Sequence, residues 1–201
     1  MGRCKKTGPG KIPILVMRLK SYFFIILFVS FTSSLFASEN LWSELESGDK
    51  LIFIRHAYAP GGGDPDNFDL ADCATQRNLN DQGISQSVEL GKLFQEHQTP
   101  IDIVYSSQWC RCKDTAQYAF GDFEELSSLN STFEGEYKKN HDTQMSELKT
   151  LVEDWNPSKG NLVFVTHYVI IGGLLGYYPS SGEIVVADQS LKVIGSFKTD
   201  Y

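Results

Sequence analysis

Beyond residue 37 the chain is short of positive charge. It keeps only three arginines, Arg55, Arg77 and Arg111, and 12 Lys and Arg in all against the full 25 Asp and Glu, a formal charge of −13. That balance argues against nucleic acid and anionic membrane surfaces as partners. An acidic chain that binds an anion must gather its few cations in one place. The surroundings of those three arginines therefore carry the most information. No internal repeat or low-complexity tract follows residue 37, and nothing in the sequence speaks to a protein partner.

Residues 1–37 lack the opposite charge, with six basic residues and no acidic one. Within them "SYFFIILFVSF" (21–31) follows Arg18 and Lys20 and precedes "TSSLFAS". A basic region, a short apolar region and small residues make a secretory signal peptide, with cleavage expected after Ala37. Met17 offers a second start. An uncleaved anchor is the alternative, but the apolar run falls short of the roughly 18 residues a span needs. The expectation is an exported protein, in a bacterium a periplasmic one, with no membrane attachment after cleavage. Residues 38–201 are then one domain, long enough to bury a core unaided. Cys4 goes with the leader. Cys73, Cys110 and Cys112 remain, and an odd number in an exported chain implies one disulfide and one free thiol.

Apolar runs and turn residues divide this domain. "ENLWSELESGD" predicts a short opening helix that stops at Gly48. "LIFI" (51–54) is a strand buried on both faces, since nothing polar interrupts it. "APGGGDPDNFDLADC" (59–73) reads as a solvated, mobile loop; its acids lack the glycine turn and closing glutamate of a calcium loop. A helix capped by Asn80 or Asp81 continues through Ile84, Val88, Leu90 and Phe94. "IDIVYSS" is a second strand after Pro100, and "CRCKDTAQYAF" a helix ending at Gly121. "DTQMSELKTLVEDW" is a helix with Met145, Leu148, Val152 and Trp155 on one face. "NLVFVTH" is a third apolar strand, "VIIGGLLG" an apolar helix, and "GEIVVAD" with "LKVIGSF" a closing hairpin. Strands alternating with helices predict a three-layer α/β/α fold around a mostly parallel sheet. His97 and His141 stand in polar contexts and read as solvated. Gly61–Gly63 lack the helix and lysine of a phosphate-binding loop.

Two predicted strands end in a histidine, "FIRHA" and "FVTHY", and the strand between them leads through "YSSQWCRC" into a helix carrying Arg111. In a parallel sheet all three features emerge at one edge, where open α/β folds place their ligands. A lone histidine at a strand end is usually structural. Two of them beside Arg55 and Arg111 make a constellation.

"RHA" at 55–57, "SSQWCRCKDTA" at 106–116 and "VTH" at 165–167 resemble the histidine phosphatase superfamily, with its phosphoglycerate-mutase-like fold. "QRNLNDQG" (76–83) is similar to the segment that opens the family's first long helix. The short chain resembles its compact members, such as phosphohistidine phosphatases and small exported sugar-phosphate phosphatases. The resemblance implies a phosphatase acting on a small phosphorylated metabolite, a sugar phosphate or phosphohistidine, with no metal and no cofactor. His56 would be the nucleophile, forming a phosphohistidine that water cleaves. Arg55 and Arg111 would grip phosphate oxygens in forked fashion, and His167 would donate to the developing charge. Arg77 is a candidate rim contact to substrate. The general acid is the point of departure: "STFEGEY" offers Glu134 and Glu136, neither in the family's usual context. Without an acid the enzyme would favour leaving groups that depart unprotonated. The alternative is a non-catalytic phosphate or phospho-ligand binding module of the same fold.

On a helix, Cys110 and Cys112 point about 200° apart and cannot converge on each other or on one zinc ion. With Arg111 facing the pocket, one cysteine faces the core and the other the loop ending at Cys73. The position after the arginine is commonly small and buried in the family. The resemblance therefore assigns Cys112 to the core as a free thiol and pairs Cys110 with Cys73.

Overall fold

β1 (Leu51–Arg55), β2 (Ile101–Ser106), the two-residue β3 (Glu124–Glu125) and β4 (Asn161–Thr166) run parallel in the order β3-β2-β4-β1. The hairpin β5 (Ile184–Ala187) and β6 (Val193–Phe197) then continues the sheet antiparallel from β1. The computed structural model describes residues 1–2, 40–157 and 160–199. The expected leader, apart from its first two residues, lies outside them. Asn40–Tyr201 forms one compact unit, and among the described residues no helix is long and apolar enough to cross a membrane.

The central strands alternate their side chains between two cores. Ile52 and Ile54 of β1, Val163 and Val165 of β4, and Ile184 and Val186 of β5 face one layer. That layer holds α1 (residues 40–46), α2 (Asp81–Glu96) and α3 (Cys110–Phe120). Leu51, Phe53, Leu162, Phe164, Val185 and Ala187 face the other, packed on α4 (His141–Asp154) and α5 (Tyr168–Leu175). This is the three-layer α/β/α arrangement, and it explains why "LIFI" carries no polar residue: both faces are covered.

α2 is capped by Asn80, whose side chain accepts from the Gly83 N–H. Its buried stripe differs from the expected one. Val88 is exposed and Ile84 half-buried, while Gly83, Gln86, Ser87, Leu90, Gly91 and Phe94 face inward. The cause is closeness of approach. A Cβ on Gly83 would stand 2.0 Å from the Tyr58 carbonyl oxygen, and one on Gly91 2.3 Å from that of Ala119. Leu90 and Phe94 are buried in the core as expected, while the small residues let α2 lie against the chain leaving β1 and against α3, so size as well as hydropathy sets its inner face.

Backbone register then positions the site. Leu51 pairs with Leu162 and Arg55 with Thr166, and the His56 N–H donates to the Thr166 carbonyl at 2.8 Å. On the other side of β4 the Ser107 N–H donates to the Val165 carbonyl at 2.9 Å. The ends of β1, β2 and β4 are thereby level at one edge of the sheet.

Candidate active site

Pairing β1 with β4 brings the two histidines together. The rings of His56 and His167 lie 5.4 Å apart, centroid to centroid, and both residues are buried. His56 Nδ1 stands 2.8 Å from the Ala57 carbonyl, an acceptor only. Nδ1 therefore carries the proton, and Nε2 keeps the free lone pair. Burial, then the charge of Arg111 and more weakly of Arg55 and Arg77, pushes this imidazole well below the ordinary histidine range. It is neutral near pH 7, with the Nε2 lone pair available.

His167 is held through its other nitrogen. Its Nε2 lies 3.0 Å from Ser107 Oγ and 3.5 Å from Cys112 Sγ, leaving Nδ1 unengaged by these partners. Ser107 Oγ is also 3.2 Å from Asn130 Oδ1, which accepts the Gln108 N–H at 2.9 Å. Burial and then Arg111 push His167 well below its usual range too. Cys112 is a free thiol as the family likeness implied, and burial pushes it up to about 12, so beside His167 it is an uncharged S–H.

Arg55 leaves β1 between Pro179 and Tyr168. Its Nη1 donates to the Pro179 carbonyl at 3.0 Å, and its guanidinium lies 5.0 Å from the Tyr168 ring centroid. Arg111 sits in the first turn of α3, almost wholly buried. That turn is tied to the end of β1 by Thr115, which donates to the Arg111 carbonyl at 2.7 Å and accepts the Ala57 N–H at 3.0 Å. Arg55 Nε and Arg111 Nε are both buried without a hydrogen-bond partner among the described residues. Two orphaned cationic donors beside a neutral histidine call for an anion.

The loop after β1 is a correction to the sequence reading. Asp64 does not face solvent: its carboxylate takes Arg111 end-on, with Nη1–Oδ1 at 2.7 Å and Nη2–Oδ2 at 3.2 Å. Asp64 also accepts from Trp109 Nε1 at 2.9 Å and from the Arg77 N–H at 3.1 Å. Burial would raise this carboxyl, but the bonds from Arg111 and its charge outweigh burial and hold it below the usual value. Arg77 works as a staple for the same loop, donating from Nε to Gly63 O (2.8 Å) and from Nη1 to Ala59 O (2.6 Å) while lining the cleft. The disulfide joins Cys73 to Cys110, closing the loop onto the residue next to Arg111.

Of the two candidate acids, Glu134 stands at the cleft, and its Oε1 accepts the Asp64 N–H at 2.9 Å. Glu136 is on the rim with its side chain 75% exposed, 3.8 Å from Lys139 Nζ. Neither His97 nor His141 is simply solvated. His97 stacks on Trp42 at 4.3 Å, and His141 Nδ1 bonds Thr132 Oγ1 at 2.8 Å. Sequence reasoning missed Asp64, Ser107, Thr115 and Asn130. Ser107 and Thr115 could have been found, since both lie inside the stretch that carries the family resemblance.

The whole opens into a cleft of about 720 Å³, walled by Phe68, Trp109, Phe133, Tyr137 and Tyr168 around the two histidines and three arginines. Among the described residues no group of His, Cys, Asp and Glu is arranged to hold a metal ion.

A mostly parallel α/β sheet with two neutral histidines and two unsatisfied arginine edges at the carboxyl end of its parallel strands fits an oxyanion site on the phosphoglycerate-mutase-like fold. The family model of the histidine phosphatase superfamily (branch 1) matches residues 51–164, and the chain belongs to that superfamily. No curated protein matches the chain. Solved structures agree in fold at low identity. The protein histidine phosphatase SixA complexed with tungstate is 14% identical with a TM-score of 0.51, over 74% of this chain and 96% of that one. TTHB049 from Thermus thermophilus is 14% identical with a TM-score of 0.54, over 75% and 99%. The open reading frame Rv3214 from Mycobacterium tuberculosis is 16% identical with a TM-score of 0.53, over 68% and 89%.

Proposed function

We propose that this protein is an exported, metal-independent phosphatase that works through a phosphohistidine on His56. The observation that carries this is the pair of unsatisfied arginine Nε donors, on Arg55 and Arg111, beside an imidazole whose Nε2 lone pair is free. His56 Nε2 attacks phosphorus and the P–O bond to the leaving group breaks. Water then cleaves the N–P bond and releases inorganic phosphate. Arg55 and Arg111 hold equatorial oxygens, and His167 donates from Nδ1 as charge builds. Ser107 lets His167 carry either charge. Its single hydroxyl proton turns to Nε2 when the imidazole is neutral and to Asn130 Oδ1 when Nε2 is protonated.

Glu134 is our candidate for the acid that protonates the leaving oxygen; it lines the cleft, whereas Glu136 faces solvent. The size of the cleft and its aromatic walls suit a small phosphorylated metabolite or sugar phosphate. The acidic surface and the leader-like residues 1–37 support a periplasmic setting without nucleic-acid or membrane partners.

The test compares wild type with His56→Ala on an aryl phosphate, with and without EDTA. Wild type hydrolyses it in both conditions and the variant does not. Acid-labile label from ³²P-substrate is trapped on His56. Full activity in His56→Ala would sink the mechanism. Phosphate binding without turnover or label would favour a non-catalytic module. Glu134→Gln lowers kcat on alkyl phosphates more than on aryl phosphates, whose leaving groups need no proton.

A further inference from the structure

We propose that Asp64 is the resident counter-anion of the phosphate site, positioning Arg111 from behind and limiting by its charge how tightly the site holds phosphate. The proposal rests on the phosphatase reading above and assigns a residue to the site's control rather than to its chemistry.

The grip is built from every side. The carboxylate accepts from both terminal nitrogens of Arg111, from Trp109 Nε1 and from the Arg77 N–H. Its main chain is fixed as well. The Asp64 N–H donates to Glu134, and the preceding Gly63 carbonyl accepts from Arg77 Nε. Asp64 and Arg111 have side chains only 12% and 4% exposed. Here a carboxylate keeps its negative charge near pH 7, and solvent does little to screen it.

The geometry of the pair decides what it does. A guanidinium offers an end-on edge, formed by both terminal nitrogens, and a side-on edge that includes Nε. Asp64 takes the end-on edge, and Arg111 Nε is left buried without a partner. An incoming phosphate is therefore bound side-on, and Asp64 does not have to leave. Its charge stays one guanidinium away from a dianion. At that range in a buried site, like-charge repulsion weakens anion binding by about tenfold or more. Three arginines around one phosphate would otherwise retain inorganic phosphate, the product. Asp64 thus offsets part of the cationic charge while occupying only the end-on edge of Arg111 and leaving its Nε to the phosphate.

Asp64→Asn tests this directly, because it removes the charge while keeping shape and an acceptor oxygen for Arg111. Inorganic phosphate binding is measured by calorimetry at pH 7, beside thermal melting and steady-state kinetics. The expected result is a phosphate Kd at least about tenfold lower than in wild type, and a kcat that does not rise because product leaves more slowly. The melting temperature is lowered, because the amide nitrogen faces N–H donors where an oxygen accepted. Asp64→Ala also loses the grip on Arg111, so its kcat/KM falls below that of Asp64→Asn. Phosphate binding in Asp64→Asn that equals or is weaker than wild type overturns the proposal. A wild type that binds phosphate but hydrolyses no ester sinks the phosphatase reading separately, since the binding comparison needs no turnover.

Discussion

His56 and His167 sit where an imidazolium is disfavoured, and that has a cost for the folded state. Both are held well below the ordinary value of 6.5 in the fold, and regain it when unfolded. Between the folded value and 6.5 the unfolded chain binds more protons than the native one, so stability rises with pH across that window and is flat above it. Urea midpoints should fall as pH is lowered from 7 to 5. Below 6.5 the loss approaches about 1.4 kcal/mol per pH unit for each histidine, and it should shrink in His167→Gln. A wild-type midpoint independent of pH in this range would contradict the electrostatics. Ser107→Ala removes the oxygen bonded to His167, a loss of about 1 kcal/mol or five- to tenfold in kcat with KM little changed. Arg55, His56, Arg111 and His167 were legible because each ends an apolar run or stands at a fixed spacing. Asp64 was not. Its partner lies 47 positions away, and a glycine-, proline- and aspartate-rich loop gives no local sign of a buried ion pair.

At the scale of elements, the least legible feature was the inner face of α2. Hydropathy found Leu90 and Phe94 but also pointed to Ile84 and Val88, whereas the closest contacts are made through Gly83 and Gly91, which carry no apolar signal. Gly83→Ala would drive a methyl into the Tyr58 carbonyl and should cost about 2 kcal/mol or more in denaturant unfolding, despite the better helix propensity of alanine. An increase in stability would mean that α2 can retreat. The Cys73–Cys110 bridge acts on the other flank of the site. Its chain-entropy contribution is roughly 4 kcal/mol, so Cys73→Ser should lower stability by an amount of that order. Cys112 lies beside the same helix turn but is buried and pushed up to about 12. It should resist a thiol reagent in the native protein and react in full after unfolding. The pairing was readable only through the family likeness; helix geometry alone divided the two cysteines without saying which faced which way.

For the molecule as a whole, strand alternation and the helices between strands were enough to announce a parallel sheet, and the sheet enough to gather the strand ends. What the pattern did not contain was the strand order, since neighbours such as β1 and β4 are far apart in the chain. The acidic surface sets a further expectation. Long-range repulsion of an anionic substrate is screened by salt, whereas the buried arginines are screened much less. kcat/KM for a small dianionic phosphate should therefore rise as ionic strength goes from about 10 mM to 0.15 M; a steep fall would show that surface cations, and not the cleft, capture the substrate.

The backbone pairing of β1 with β4 also has a bearing on how such a protein can change over generations. The spacing of the two histidines is inherited from main-chain hydrogen bonds, which any pair of apolar side chains can support. Beside Trp109 and Tyr168, the walls of the cleft are made by the loops at 59–73 and 130–140, which contribute nothing to that pairing. The spacing of the histidine pair and most of the aromatic wall are therefore written in separate parts of the chain, although the wall loops also carry Asp64 and Glu134. A lineage can exchange those wall loops, or an engineer can graft those of another member, and alter selectivity while the two histidines stay where they were.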